Sequence, residues 1–169
     1  MLRIFCSLKD INFSKLMSVY EEGNLENAKE FYPNLEPNVA LINAEQDFYA
    51  YLRDIFFVTS GAVYAVWEEN GDYVSALRLE PYCNGLLLEG LETSPVHRRK
   101  GFAATLIQSV LAYLSLQENC LVYSHISKWN VASLRTHESC GFKRIQEYAV
   151  YIDGSVRKDS CTLLFEINR

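Results

Sequence analysis

The stretch "VHRRKGFAATL" (Val96 to Leu106) sets Arg98, Arg99 and Lys100 directly before Gly101, and an apolar run follows at once. In "FAATLIQSVLAYLSLQ" (102–117), Leu106, Val110 and Leu114 recur at four-residue steps beside Ile107 and Leu111, the spacing of an amphipathic helix. The strand candidate "GLLLEGLET" (85–93) ends just before Ser94-Pro95. A strand, a tight loop and a helix starting near Phe102 therefore meet at Gly101. The first amides of a helix lack intrahelical partners and sit at the positive end of its dipole. Such a junction attracts an anion before any side chain is counted. Gly101 has no Cβ, Ala103 is nearly as small, and the three cations add positive charge. The amides of Arg99 to Ala104 suit a diphosphate. The residues alone equally allow a solvated basic turn that caps a helix. There is no GxxxxGK[ST] and no GxGxxG, so a Walker loop and a dinucleotide fingerprint are excluded.

Outward from this junction the elements alternate. "LRIFCS" (2–7) reads as a strand. "INFSKLMSVYEEGNLENAKEFY" (11–32) reads as helical, broken near Gly23-Asn24, and after a Pro-containing loop "AEQDFYAYLRDIFFV" (44–58) reads as a second helix. Two β-rich runs (62–69 and 72–80) flank Asn70-Gly71, the favoured type I′ hairpin turn. "CLVYSHIS" (120–127) is a strand. "NVASLRTHESCGF" (130–142) is a short helix, with Asn130 a good N-cap and Gly141 a good C′ residue. "KRIQEYAVYI" and "SCTLLFEI" flank Asp153-Gly154 as a closing hairpin. The order β-α-α-β-β-β-α-β-α-β-β predicts a mixed α/β domain, antiparallel early, with a βαβ crossover over 85–127.

The length of 169 residues suits one domain over 1–169, with a core that needs no staples. The formal charge of −5 argues against nucleic acid as the main partner and is compatible with a cationic substrate such as an amine. Five cysteines, an odd number with no CxxC, argue against a disulfide framework or a structural zinc site, so no metal is expected. The expected compartment is reducing, and the cytoplasm is the expected location. No segment has the length of a membrane span, so no membrane partner is expected.

"SPVHRRKGFAATLI" resembles the R/Q-x-x-G-x-G/A signature of the GCN5-related N-acetyltransferases, with Arg98, Gly101 and Ala103 in the three defining places. "LLLEGLET" stands where that family has its fourth strand. "NVASLRTHESCGF" resembles its second motif, with Asn130, Ala132, Ser133, Gly141 and Phe142 in place. The motifs cover residues 85–142, and residues 1–60 carry no signature. The resemblance implies a mostly antiparallel central sheet of six to seven strands with flanking helices, and a βαβ unit that binds the coenzyme. It implies acetyl-CoA as donor. The pyrophosphate would lie on Arg99, Lys100, Gly101, Phe102, Ala103 and Ala104, with Arg98 as the motif arginine. The pantetheine arm would pair with Leu91, Glu92 and Thr93, and the Leu91 amide would polarise the thioester carbonyl. Asn130 and Ser133 belong to the same coenzyme site.

In many relatives a tyrosine in the second-motif helix protonates the departing thiolate, and His137 holds the matching place. Seven residues, about two turns, separate Asn130 from His137, so they share a face. His137 is a candidate proton donor or coenzyme ligand, or else a packing residue. Glu89 and Glu92 are candidate bases. Strand alternation puts Glu89 and Leu91 on one face and Glu92 on the other. His125 ranks third, and His97 is expected to be exposed. Cys140, near a helix C-terminus, is not expected to form an acyl-thiol. The expected reaction is direct acetyl transfer to the primary amine of a small molecule or peptide. The alternatives are a non-catalytic acyl-CoA-binding or sensor domain, and a module whose basic loop binds another phosphate. The acceptor and the oligomeric state, a homodimer included, are left open.

Overall fold

The computed structural model describes residues 1–117 and 119–168. Strands β1 (Leu2–Phe5), β2 (Val63–Glu69), β3 (Asp72–Tyr82), β4 (Gly85–Thr93), β5 (Cys120–Ser127), β6 (Lys143–Gln146) and β9 (Ser160–Ile167) form one sheet in the order β1-β2-β3-β4-β5-β9-β6. Its pairs are antiparallel except β4 with β5, which the crossover helix α4 (Phe102–Ser115) joins in parallel. The remaining helices are α1 (Phe13–Val19), α2 (Glu21–Phe31), α3 (Pro37–Tyr51) and α5 (Val131–Ser139). The mixed α/β architecture with a mostly antiparallel sheet is the expected one. Among the described residues no helix is long and apolar enough to cross a membrane.

Local chemistry explains most boundaries. Asn70 and Gly71 both take positive φ (50° and 86°), as a type I′ turn requires. The Asn130 side chain accepts from the Ser133 amide at 3.0 Å and caps α5. Three boundaries differ from expectation. The break between the first two helices falls at Tyr20, with Gly23 inside α2, because the buried Tyr20 ring is anchored by tertiary contacts that override local propensity. Helix α3 starts at Pro37, whose missing amide hydrogen and fixed φ suit a first helical turn. The turn at Asp153-Gly154 belongs to a separate small hairpin of β7 (Ala149–Val150) and β8 (Val156–Arg157), while β6 and β9 pair directly.

Strand alternation sorts the core onto two faces. Leu77, Leu79, Leu88, Val122 and Ile126 pack against Leu106, Ile107, Val110 and Leu111 of α4. On the opposite face, Tyr64, Val66 and Ala76 pack against Leu16 and Val19 of α1 and Phe56 beyond α3.

The crossover pairing is short. Only Leu86, Leu87 and Leu88 are in register with Val122, Tyr123 and Ser124. Beyond Leu88, β4 leaves β5, which stays paired to β9 along its whole length. At the divergence β4 carries a bulge, since Glu89 is opposite Arg78 but Glu92 is opposite Ala76. The bulge residue Gly90 has φ +59°, a value that glycine adopts without steric cost. The Tyr20 hydroxyl donates to the Gly90 carbonyl at 2.6 Å and accepts from the Tyr64 hydroxyl at 2.7 Å.

Two substitutions test this packing. A Cβ on Gly85 would stand 2.1 Å from the Leu121 carbonyl oxygen, backbone that cannot give way cheaply. Gly85→Ala is expected to cost about 1–3 kcal/mol. Gly23 lies inside α2, and a methyl group there would meet nothing within 4 Å. Gly23→Ala is therefore expected to gain about 0.5–1 kcal/mol. Urea denaturation of both variants reads the opposite signs.

Candidate functional site

The loop from β4 to α4 begins with a 3-10 turn at Pro95–His97. Arg99 (φ 61°) and Gly101 (φ 83°) then take left-handed conformations. Gly101 caps α4 without any side-chain hydrogen bond. The helical ladder opens with the Thr105 amide on the Gly101 carbonyl at 3.0 Å, so the amides of Phe102, Ala103 and Ala104 precede it without intrahelical partners. They face a cleft of about 650 Å³ that runs from Leu91, Glu92 and Thr93 across the loop to Asn130 and Ser133 on α5. A Cβ on Gly101 would meet nothing within 4 Å.

Leu91, Glu92, Thr93, Arg98, Arg99, Gly101, Phe102, Ala103, Ala104, Asn130 and Ser133 all line this cleft, together with His97, Ala132 and Thr136. Lys100 does not line it, and its Nζ turns back to the Val96 carbonyl at 3.2 Å. The Arg98 guanidinium is largely spent on protein partners. Its Nε donates to the Thr93 carbonyl at 3.1 Å, one Nη donates to Glu22 and the other lies 3.7 Å from Glu92. Arg98 thus fastens the loop to β4 and α2. His97 is only partly exposed, edge-on to Phe102, and its Nδ1 is buried without a partner.

The Gly90 bulge corrects the alternation expected for β4. One extra residue reverses the facing of everything after it. Leu91 packs with the α4-side core, while Glu89 pairs with Arg78 at 3.0 Å on the opposite face. Arg78 there lies over the rings of Phe48, Tyr51 and Phe56. Glu92 returns to the Glu89 face but points toward Arg98, Glu22 and Glu26. Burial is the main cause that raises its carboxyl, Arg98 opposes, and the two neighbouring glutamates add to the rise.

Between the diverging β4 and β5 lies a gap of about 160 Å³, walled by Leu88 to Leu91, Ser124 to Ser127, Asn130, Ser133 and His137. It shares Leu91, Asn130 and Ser133 with the large cleft. Through Glu89 it borders a pocket of about 430 Å³ on the opposite face, lined by Tyr51, Glu80, Leu87, Tyr151 and Asp153 among others. His125 also walls the gap. Its ring meets Tyr82 and Tyr151 edge-on, both ring nitrogens are buried without partners, and burial lowers its pKa against the charge of Glu89.

His137 is 1 % exposed. Its Nδ1 is 2.9 Å from the Ser133 carbonyl, which fixes the proton there, and its Nε2 is 3.2 Å from Ser124 Oγ. Burial pushes its pKa down. A neutral ring with both nitrogens engaged ties α5 to β5. The Cys140 thiol is pushed up by burial and points to the Ala104 carbonyl at 3.7 Å, where it packs α5 against the start of α4.

A cleft at an uncapped helix N-terminus, opening beside a split parallel strand pair, is an arrangement suited to an anionic group. The model of the acetyltransferase (GNAT) family matches residues 24–142, and the chain belongs to that family. The match takes in most of α2 and all of α3, where the sequence carries no motif. No curated protein sequence matches the chain significantly. Among solved structures, the ribosomal-protein-S18-alanine N-acetyltransferase of Escherichia coli is 16 % identical, with TM-score 0.61 over 100 % of this chain and 96 % of that one. The spermidine N-acetyltransferase of Vibrio cholerae, solved with CoA and spermine, is 20 % identical, with TM-score 0.61 over 99 % and 95 %. The PaiA N-acetyltransferase of Thermoplasma acidophilum, solved with coenzyme A, is 13 % identical, with TM-score 0.63 over 98 % and 99 %. These identities establish a shared fold. The residues present fit a coenzyme diphosphate, because the α4 amides lack a cap and open space lies where a side chain at position 101 would stand.

The state of His137 has a measurable signature. Above about pH 6.5 the imidazole is neutral folded and unfolded, and titration contributes nothing. Below it the unfolded chain takes a proton that the folded chain refuses, so stability falls. His137→Gln is therefore expected to be destabilising, by less at pH 5 than at pH 7.5. Urea denaturation at the two pH values checks this.

Proposed function

We propose that this chain transfers an acetyl group from acetyl-CoA directly to a primary amine of a small molecule or peptide, with residues 1–169 acting as one acetyltransferase domain. The carrying observation is continuity: the cleft at the uncapped start of α4 shares walls with the gap between β4 and β5, and the gap shares Glu89 with a pocket on the other face. The coenzyme supplies an activated acetyl thioester. The amides of Phe102 to Ala104 hold its diphosphate, with Arg99 and Gly101 shaping the loop. The Leu91–Thr93 edge, freed from β5, holds the pantetheine arm as an added strand. The Leu91 amide, displaced by the bulge, is the donor assigned to the thioester carbonyl. Glu89 faces the acceptor and orients its ammonium. Glu92 belongs with Arg98 at the rim and His137 supports α5, so neither is assigned the chemical step.

One observation favours a second reading, an acyl-CoA sensor that binds without transfer. At the place where relatives carry a thiolate-protonating tyrosine, His137 has both nitrogens occupied.

Isothermal calorimetry with acetyl-CoA, and free-thiol release with a panel of primary amines, separate the two. Turnover supports the transferase, binding without turnover on any amine supports the sensor, and no coenzyme binding overturns both. Gly101→Glu puts a carboxylate into open space before the α4 amides and is expected to weaken acetyl-CoA binding at least about 100-fold, about 2.7 kcal/mol. Retained affinity would refute the placement of the diphosphate.

A further inference from the structure

The pocket beyond Glu89 contains a second carboxylate with no part in the reading above. Glu80 on β3 stands opposite Leu87 of β4, and two residues along each strand Arg78 stands opposite Glu89, so all four side chains share one face. Register places Glu80 and Glu89 diagonally across the two strands, where the charge of Glu89 acts on Glu80; a hydrogen bond between two carboxyls requires one shared proton. Glu89 is also held by Arg78 at 3.0 Å. Both carboxylates and the rings of Tyr51 and Tyr151 line the same cavity.

We propose that Glu80 and Glu89 work as one proton-sharing pair that takes the ammonium proton of a cationic primary amine seated between Tyr51 and Tyr151. This rests on the acetyl-transfer reading and names its acceptor class and proton route. An amine enters as its ammonium, attracted by the carboxylates and the two ring faces. With both carboxylates ionised, its N–H bond breaks at Glu89 and one O–H bond forms, which gives the pair its single shared proton, stored on Glu80. The nitrogen keeps the electron pair and forms the amide bond as the carbon–sulfur bond breaks. The second nitrogen proton leaves with the sulfur as thiol, and the stored proton goes to solvent.

The surroundings suit Glu80 to the task. Burial first, then the hydrogen bond and charge of Glu89, raise it to about 7, while Arg78 opposes them. A base near that value matches working pH. From the other elements, Tyr51 faces the pair from α3, itself raised by burial. Tyr151, Asp153 and Arg157 face it from the β7–β8 side, and Asp153 is held low by its bonds to Ser155. His125, held below its ordinary value by burial and with both ring nitrogens unpartnered, lines the gap beside Glu89.

Carboxyl-¹³C glutamate NMR tests the pair without knowledge of the natural acceptor. In the wild type one signal is expected to titrate near pH 7. It should be absent in Glu80→Gln and should fall toward the ordinary range in Glu89→Gln. Saturating 1,4-diaminobutane or tyramine should lower its midpoint in the wild type. A Glu80 signal that titrates at about 4–5, like an ordinary glutamate, or one that neither amine moves, overturns the proposal. With amines that the wild type acetylates, Glu80→Gln should lower kcat/KM about 100-fold and remove the acid limb near pH 7, with acetyl-CoA affinity unchanged. Wild-type kcat/KM with the same limb overturns it. Loss of acetyl-CoA binding in the wild type would instead sink the transfer reading, which the carboxyl titration does not touch.

Discussion

One surplus residue in β4, held by a tyrosine hydroxyl, is the constraint on which the site depends. Gly90 takes a left-handed conformation, and its carbonyl is fixed by Tyr20, which is itself fixed by Tyr64. Both tyrosines are buried, and burial raises both phenols far above their ordinary range, so they remain neutral donors. A buried carbonyl stripped of its partner costs about 1–3 kcal/mol, so the bulge and the packing of α1 are secured by the same bond. The bulge sends Leu91 to the α4 side and leaves Glu89 on the other, and it lies where β4 parts from β5.

The sheet thereby separates two electrostatic environments. On the α4 side the attraction for an anion comes from backbone amides and Arg99, because Lys100 folds back on its own loop and Arg98 is engaged by Thr93, Glu22 and Glu92. On the other side, carboxylates gather around a single buried guanidinium, Arg78, which aromatic rings cover.

What the sequence displayed plainly was whatever short-range chemistry decides. The four-residue steps of α4, the Asn70-Gly71 turn, the Asn130 cap and the glycine at the start of α4 each carry a local signal, and each lies where expected. The family motifs placed the cleft for the same reason, since they are contiguous. The bulge was hidden because Gly90 in "LEGLET" reads as an ordinary strand glycine. Plain alternation carried through it inverts the strand faces beyond and separates Glu89 from Glu92. The start of α2 at Tyr20, the inward turn of Arg98 and the engagement of His137 all depend on partners distant in sequence. Glu80 was equally silent, because a lone glutamate near a strand end becomes notable only beside Glu89.

The gap between β4 and β5 opens toward a cleft on one face of the sheet and a pocket on the other. On the proposed reading, two ligands approach this gap from opposite faces of the sheet. On the proposed reading, donor and acceptor occupy the protein together, and the geometry imposes no obligatory order of loading. Neither product has to depart before the opposite face can refill, so traffic on each side is governed by its own affinity.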